Sequence, residues 1–224
     1  MMTFHIITIF PKLFRPYLAE SIIGRGIKSG RIKTKIYDLR EFTKDKHHKV
    51  DDKTYGGGPG MVMGVEPLSR ALKEVLKGKP KNKTLVFLTA PAGKEFSNKL
   101  AVTWAKKYEH LVLIAGRYEG FDERIISVIK KGIGFPVQEV SIGPYVLTGG
   151  EIPVLIIIDA TARQVPGILG KSESLEESRY GTGMPVYTRP EVFKFKGRGY
   201  RVPGVLLSGD HARIDKWRKS RGNK

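Results

Sequence analysis

Three glycine-rich segments combine a freely rotating backbone with charged or aromatic side chains, a combination that core packing alone does not require. The first, residues 50–61, places Asp51, Asp52 and Tyr55 beside three consecutive glycines. It lacks the Gly-Lys-Ser/Thr ending of a phosphate-binding P-loop, which argues against that site. An unhindered backbone can approach a flat base or a ribose while the aspartates accept hydrogen bonds. A flexible surface loop is an equally good interpretation.

The second segment, residues 115–124, follows an apolar run at 111–114 and precedes a predicted helix. Ligands of open α/β sheets bind at the carboxyl ends of strands, so this position suits a binding site. Glu119 and Asp122 could hold an ammonium group, a ribose or Mg²⁺. We favour a different role for Asp122, which can cap the next helix and pair with Arg124.

The third segment, residues 141–151, also lies between a predicted strand and an apolar helix. Its small residues alternate with Ile142, Tyr145 and Leu147. Such a pattern suits an apolar slot whose backbone amide and carbonyl groups read a purine edge, because adenine needs few charged partners. A structural turn between a strand and a helix is the competing interpretation, and periodicity does not decide between them.

An alternating order of strands and helices would position these segments. Runs of β-branched and aromatic residues predict strands at 4–10, 32–37, 84–88, 110–115 and 137–142, and helical spacing predicts helices at 67–76, 96–107, 122–130 and 211–219. This order predicts an α/β fold with a mostly parallel sheet. Composition shifts after residue 165, which predicts a domain at 1–165, a linker or lid at 166–184, and a small basic domain at 185–224.

The amino-acid composition indicates which classes of partner and which kinds of site are compatible with the chain. The 224 residues include 40 Lys and Arg against 22 Asp and Glu, a net charge of +18. This excess favours a polyanionic partner, although net charge also serves solubility. The absence of cysteine excludes disulfide frameworks and thiolate metal sites, and it fits a reducing cytoplasm. We expect a cytoplasmic protein without a membrane partner, because the sequence shows no signal peptide and its longest apolar run, 152–158, is far too short to span a bilayer.

Several long motifs, in one order along nearly the whole chain, resemble bacterial tRNA (guanine-N1)-methyltransferases. They include Gly-Arg-Tyr-Glu-Gly at 116–120 and Ser-Ile-Gly-x-Tyr-Val-Leu-Thr-Gly-Gly-Glu at 141–151. The Asp-Asp-x-x-Tyr-Gly-Gly-Gly-Pro-Gly-Met run at 51–61, Tyr-Thr-Arg-Pro at 187–190 and Val-Leu-Leu-Ser-Gly-Asp-His at 205–211 are similar to that family as well. The resemblance implies the SPOUT or α/β-knot fold, with a deep trefoil knot, a small mainly helical C-terminal domain and a homodimer whose active sites lie at the subunit interface.

The resemblance further implies methyl transfer from S-adenosylmethionine to N1 of the guanosine immediately 3′ of the tRNA anticodon, position 37. It assigns cofactor binding to Pro91, Gly93, Gly116, Tyr118, Glu119, Gly120, Ser141, Ile142, Gly143, Pro144, Tyr145, Val146, Leu147, Gly149 and Gly150. It assigns RNA binding to Asp51, Asp52, Tyr55, Gly57, Gly58, Arg189, Ser208 and His211. Mg²⁺, helped by Glu119, is a family expectation, but the sequence has no cluster of ligands that indicates a metal site.

The reaction requires a base because N1 of guanine carries a proton at neutral pH. The family places a carboxylate base in the linker after the knot helix, and the matching residue here is Glu177, with Glu176 as its rival. Glu177 stands where the family has Asp, one methylene shorter. Arg163 matches an arginine that would orient guanine or stabilise its charge. Pro144 departs from the family pattern too, because it replaces an acidic residue and removes one N–H donor from the cofactor loop.

Two other functions fit parts of the sequence. A non-catalytic basic RNA-binding protein would explain the charge but not the apolar glycine-rich slot at 141–150. A SPOUT methyltransferase acting on another RNA site would share the cofactor segments. The motifs at 51–61 and 187–190 argue against that second alternative, because they lie outside the shared cofactor knot.

Overall fold

The computed structural model describes residues 1–170 and 183–221, which divide into two compact units, Met1–Ile168 and Leu169–Lys224. Within the first unit a five-stranded sheet is built from β1 (Met2–Thr8), β2 (Ile32–Asp38), β5 (Thr84–Glu95), β6 (His110–Ile114) and β7 (Val137–Ser141). The strand order is β2-β1-β6-β5-β7, and every neighbouring pair is parallel. The predicted α/β fold with a mostly parallel sheet is therefore confirmed.

The helices of this unit are α1 (Arg15–Ala19), α2 (Ser21–Lys28), α3 (Val65–Leu76), α4 (Asn98–Lys107), α5 (Arg124–Ser127) and α6 (Glu151–Ala162). A π-helical turn, Val128–Ile133, continues α5 and ends at Gly134, which has a φ of 82°. A short antiparallel pair, β3 (Asp51–Asp52) and β4 (Val62–Met63), lies apart from the main sheet. The helix predicted at 122–130 thus forms, with its second half π-helical.

Alternate residues of the central strands face two separate cores. Phe4 and Ile6 of β1 belong to the first core, whereas Ile7 and Ile9 belong to the second. The first core includes apolar residues of α4 and α6, and the second includes those of α3 and α5. The sheet is therefore covered on both faces, which explains why its strands read as continuous apolar runs.

The sequence pattern did not predict α1 and α2. Two glycines interrupt the helical periodicity of α2. A Cβ at Gly24 would overlap the carbonyl oxygen of Ala19, so glycine is required there. A Cβ at Gly26 would lie 2.5 Å from the Cδ1 of Ile168, the end of a side chain that can shift.

Within the second unit, β8 (Val192–Phe195) and β9 (Arg198–Arg201) form an antiparallel hairpin, and α7 spans His211–Arg221. A mainly helical unit was expected, and the expectation did not include this hairpin. Its two-residue turn consists of Lys196 and Gly197, whose φ angles are 47° and 76°. A type I′ hairpin turn requires positive φ angles at both of these positions. Across residues 1–170 and 183–221, no helix is long and apolar enough to cross a membrane.

Candidate functional site

A cavity of about 290 Å³ lies at the carboxyl edge of the sheet, between the middle of β5, the end of β7 and the segments that follow β6 and β7. The edge exists because all five strands are parallel, so the segments that follow them converge there. The cavity is lined by Thr89, Ala90, Pro91, Gly116, Arg117, Tyr118, Glu119, Gly120, Val140, Ser141, Ile142, Tyr145, Val146, Leu147, Gly149, Gly150 and Pro153.

Twelve of the fifteen residues assigned to cofactor binding line this cavity. Gly93, Gly143 and Pro144 do not. A Cβ on Gly93 would lie 2.5 Å from the backbone nitrogen of Val140, so this glycine lets β5 approach β7. Gly143 has a φ of 149° and packs against the ring of Tyr145. Sequence reasoning missed Thr89, Ala90, Arg117, Val140 and Pro153, which line the cavity.

The loops at 116–120 and 141–150 are bonded to each other at the floor of the cavity. The Gly150 amide donates to the Gly116 carbonyl at 2.7 Å, and the Gly116 amide donates to the Thr89 hydroxyl at 3.2 Å. A Cβ on Gly150 would lie 2.5 Å from the Gly116 nitrogen. Glycine is therefore required at 150 for the two loops to meet.

A buried ion pair holds the same junction. The Nε of Arg117 donates to Oε2 of Glu151 at 2.8 Å, and the hydroxyl of Thr8 donates to Oε1 at 3.1 Å. Glu151 is only 2% exposed and opens α6, where the positive end of the helix dipole favours a carboxylate. The Arg117 guanidinium also lies 4.5 Å from the ring centroid of Phe10. The partners are 34 residues apart in the chain, so no local sequence pattern identifies the pair.

The loop at 141–150 is ordered by its own hydrogen bonds. The Ser141 hydroxyl donates to the Gly143 carbonyl at 3.0 Å and accepts from the Gly143 amide at 3.2 Å. The Tyr145 hydroxyl donates to the Ile142 carbonyl at 3.0 Å. Tyr145, Val146 and Leu147 remain exposed. The loop therefore offers an apolar wall together with backbone polar groups, as the interpretation of a purine slot requires.

The segment at 50–61 lies against the segment at 116–120. The amide of Glu119 donates to the carbonyl of Met61 at 3.0 Å, and the side chain of Glu119 packs where a Cβ of Gly60 would be. Burial and the nearby charge of Asp51 raise the pKa of Tyr118, which also has a φ of 59°. The segments at 50–61 and 116–120, distant in sequence, thus form one surface. Asp52, Tyr55, Gly57 and Gly58 are exposed on it.

Asp122 pairs with Arg124 as expected, but the N-cap position of α5 is taken by Glu123. Its Oδ1 accepts from the Arg124 amide at 3.0 Å, and its carboxylate pairs with the Arg124 guanidinium at 2.5 Å. This pairing holds the pKa of Asp122 below its usual value. In the two described ranges, no group of three or more His, Cys, Asp or Glu side chains is arranged to hold a metal ion.

Arg163 follows α6 and is half-buried, with its amide donating to the Asp159 carbonyl at 3.1 Å. The Oδ2 of Asp159 accepts from the hydroxyl of Tyr17 at 2.6 Å, from a distant part of the chain. That bond raises the pKa of Tyr17 to about 12. Glu176 and Glu177 lie outside the described residues.

In the second unit a cavity of about 870 Å³ is lined by Arg189 together with Tyr187 and Trp217, whose ring centroids are 6.3 Å apart. Ser208 and His211 stand near the start of α7. The Ser208 hydroxyl donates to the Val205 carbonyl at 2.8 Å and accepts from the Asp210 amide. These bonds give Ser208 a structural role in the turn before the helix.

Comparison with known proteins decides the family. A family model described as tRNA (Guanine-1)-methyltransferase TrmD matches residues 2–224. The chain is also 45% identical over 222 residues to the tRNA (guanine-N(1)-)-methyltransferase of Dictyoglomus turgidum, covering 98% of this chain and 84% of the relative. It is 43% identical over 221 residues to that of Clostridioides difficile, covering 97% of this chain and 91% of the relative.

The chain belongs to the tRNA (guanine-1)-methyltransferase family. The resemblance drawn from the motifs is thereby confirmed, and so is the expectation of an enzyme of this class. A further relative, from Carboxydothermus hydrogenoformans, is 45% identical over 221 residues, covering 97% of this chain and 81% of its own length. The match extends through the second unit, so the family relationship is not confined to the sheet and its cavity.

Proposed function

We propose that the chain transfers a methyl group from S-adenosylmethionine to N1 of the guanosine immediately 3′ of the tRNA anticodon. The observation that carries this proposal is the cavity at the carboxyl edge of the sheet, into which the family-like segments at 116–120 and 141–150 converge. In this assignment residues 1–165 bind the cofactor and carry out the reaction, 166–184 form the linker, and 185–224 bind tRNA.

The residues present fit adenosylmethionine. The apolar wall of Ile142, Tyr145 and Leu147 and the backbone polar groups of the same loop would hold its adenine. Glu119, a carboxylate in the lining, suits the ammonium group of the methionine part. The cavity volume of about 290 Å³ is at the lower end of the usual range for small-molecule sites. When bound, the cofactor supplies a methyl group already activated by its sulfonium.

The base is assigned to Glu177 and the charge-stabilising cation to Arg163. A carboxylate must accept the N1 proton of guanine as the methyl group approaches, and a cation near O6 would stabilise the negative charge that develops on the ring. Glu176 is the rival base. Both glutamates follow α6 and Arg163 by little more than a dozen residues in the chain. Their assignment rests on this chemistry and on the family motif.

The proposed tRNA contacts use both units. In the first, the exposed part of the 50–61 segment borders the cavity lining through Glu119 and Tyr118, so a base entering the cavity would meet Asp51 and its glycine-rich neighbours. In the second, residues 183–221 hold ten Lys and Arg against three Asp and Glu. Such an excess favours contacts with a phosphate backbone. Mg²⁺ stays a proposal from the family alone.

We also propose a trefoil knot and a homodimer. The close junction of Gly150 with Gly116 is compatible with cofactor loops that cross, although knots are rare in proteins. For the dimer, Ile152 and Ile156 are one helical turn apart on α6 and both are exposed. Tyr17 extends this apolar surface, since it is exposed and bonded to α6 through Asp159. A second copy of the chain would cover these three side chains.

The dimer is tested by sedimentation equilibrium. The wild-type protein should sediment at twice the chain mass, and Ile156→Asp should shift it toward the monomer because a charge would be placed in an apolar contact. A wild-type monomer at micromolar concentration would refute the dimer.

The catalytic assignment is tested by measuring adenosylmethionine binding and methyl transfer separately for Glu177→Gln, with Glu176→Gln as the matched control. Glu177→Gln should bind the cofactor normally but lose about 10²–10⁴-fold in methyl transfer, as expected for removal of a general base. Glu176→Gln should retain activity. The reverse result would move the base to Glu176, and full activity in both variants would refute a base in this segment.

A further inference from the structure

The β8–β9 hairpin carries its aromatic side chains on one face. Phe193 and Phe195 alternate along β8 and therefore project to the same side. Phe193 pairs with Tyr200 of β9, and Phe195 pairs with Arg198. Because cross-strand partners share a face, these four residues form one surface, which we call the aromatic face.

The aromatic face is open to solvent. Phe193, Phe195 and Tyr200 are between 53% and 55% exposed, although buried aromatics dominate ordinary cores. Neither of the two hydrophobic cores includes a residue of the hairpin. Within the described residues, packing in a hydrophobic core does not explain why the hairpin carries three large rings on one side. An exposed apolar cluster of this kind marks an interaction site.

The geometry of the rings suits flat ligands. The planes of Phe193 and Phe195 are within 13° of parallel, and their centroids are 6.3 Å apart. Both rings project from the same face of one strand, so each presents a flat apolar surface on which a base can stack. Nearly parallel rings of this kind can support two successive bases.

The charge of the hairpin selects a polyanion over a protein surface. Residues 192–201 include four cations and no acid. Lys196 lies 5.7 Å from the centroid of the Phe195 ring, and Arg198 is on the aromatic face itself. Arg201 lies near Glu191, with 3.9 Å between their nearest charged atoms, on the opposite face from the rings. Aromatic rings interleaved with cations are the pattern by which proteins bind single-stranded nucleic acid.

We propose that the aromatic face binds unpaired nucleotides of RNA by stacking bases on Phe193, Phe195 and Tyr200 while the neighbouring cations contact the phosphates. The inference rests on the proposed function in one respect, since the loops of tRNA would supply such nucleotides. Recognition would be tolerant of sequence, because every base has a face on which a ring can stack. Double-stranded RNA, whose bases are already stacked, would gain nothing from the rings.

The test compares two full-length double variants. In one, Phe193→Leu and Phe195→Leu keep apolar bulk but remove the rings; in the other, Phe193→Tyr and Phe195→Tyr keep the rings. Fluorescence anisotropy with a labelled single-stranded oligouridylate should show an affinity loss of about tenfold or more for the leucine variant, since each stacked base contributes roughly 1–3 kcal/mol. The tyrosine variant should bind within about twofold of wild type. A blunt-ended RNA duplex should bind all three proteins alike.

Equal oligouridylate binding by the leucine variant and the wild type would overturn the inference. So would a change in the sedimentation coefficient of the leucine variant without a change in RNA binding, because the aromatic face would then be a contact between copies. The two proposals fail separately. A wild-type protein that binds oligouridylate through the rings but methylates no tRNA supports the inference and refutes the proposed function. If the wild-type protein methylates tRNA but the leucine variant binds oligouridylate as tightly as the wild type, the proposed function is supported and the inference is refuted.

Discussion

Removing Arg117 should destabilise the protein more than removing the charge of its partner Glu151. The Arg117 side chain is 23% exposed, whereas Glu151 is almost fully buried. Arg117→Met would leave the Glu151 carboxylate buried, with the Thr8 hydroxyl as its remaining polar contact, and breaking a buried pair in this way costs about 3–5 kcal/mol. Glu151→Gln leaves a guanidinium that can reach water and still bonds the Thr148 carbonyl, so about 1–2 kcal/mol is expected.

The double variant should recover part of the loss. With Arg117→Met and Glu151→Gln combined, no charge stays buried, so the cost should be clearly less than the sum of the single changes. Glu66→Gln is the control, since its pair with Arg70 has a nitrogen–oxygen distance of 3.1 Å but lies at the surface, and such pairs contribute about 0.3–0.5 kcal/mol.

Urea unfolding followed by circular dichroism measures these free energies of unfolding. Isothermal titration calorimetry measures the affinity of each variant for adenosylmethionine. Because the pair joins the two cavity loops, cofactor affinity should fall in the same order as stability. The reasoning is refuted if Arg117→Met costs no more than Glu66→Gln, or if the two changes add fully. Either result would mean that the Glu151 carboxylate is hydrated or that its burial is compensated elsewhere.

Three further predictions follow from single contacts. Gly150→Ala should weaken adenosylmethionine binding at least tenfold by titration calorimetry, since its Cβ would lie 2.5 Å from a backbone nitrogen of the 116–120 loop, whereas Gly204→Ala, which opens onto free space, should not. Burial and nearby lysines lower the pKa of His5 from 6.5 to about 3. The unfolded state therefore takes up the proton first, and the free energy of unfolding should fall as pH drops from about 6.5 toward 3. In urea titrations, His5→Phe should make this dependence on pH shallower. The bond to Asp159 raises the pKa of Tyr17 to about 12, so its contribution is present below pH 10 and lost as pH rises toward 12, and Tyr17→Phe should reduce that alkaline loss of stability.

The central strands could be predicted because their residues alternate between two apolar cores and are almost all buried. Strand β6 was predicted at 110–115 and is found at His110–Ile114, since each of its residues after the first is buried. Strand β5 extends beyond the predicted 84–88 because, after a register shift between Thr89 and Lys94, it resumes pairing with β7. That continuation depends on a neighbour distant in sequence, which local periodicity does not contain.

The sequence predicted those cavity residues that belong to a recognisable motif at the end of a strand. Arg117 is the clearest omission, since its role depends on Glu151, which is separated from it by 34 residues and becomes its neighbour only when two loops meet. The hairpin was omitted for a different reason. Its alternating aromatic and basic residues around Lys196 and Gly197 are a local signal, but the region was interpreted as a small basic domain with a helix at 211–219.

The central claim is that this chain methylates the guanosine beside the anticodon. The most direct measurement is transfer of labelled methyl from adenosylmethionine to an unmodified tRNA transcript with G immediately 3′ of its anticodon, compared with the same transcript carrying A there. The proposed function predicts incorporation into the G transcript alone, recovered after nuclease digestion as N1-methylguanosine at that position. Equal labelling of both transcripts, or a different methylated nucleoside, would contradict it.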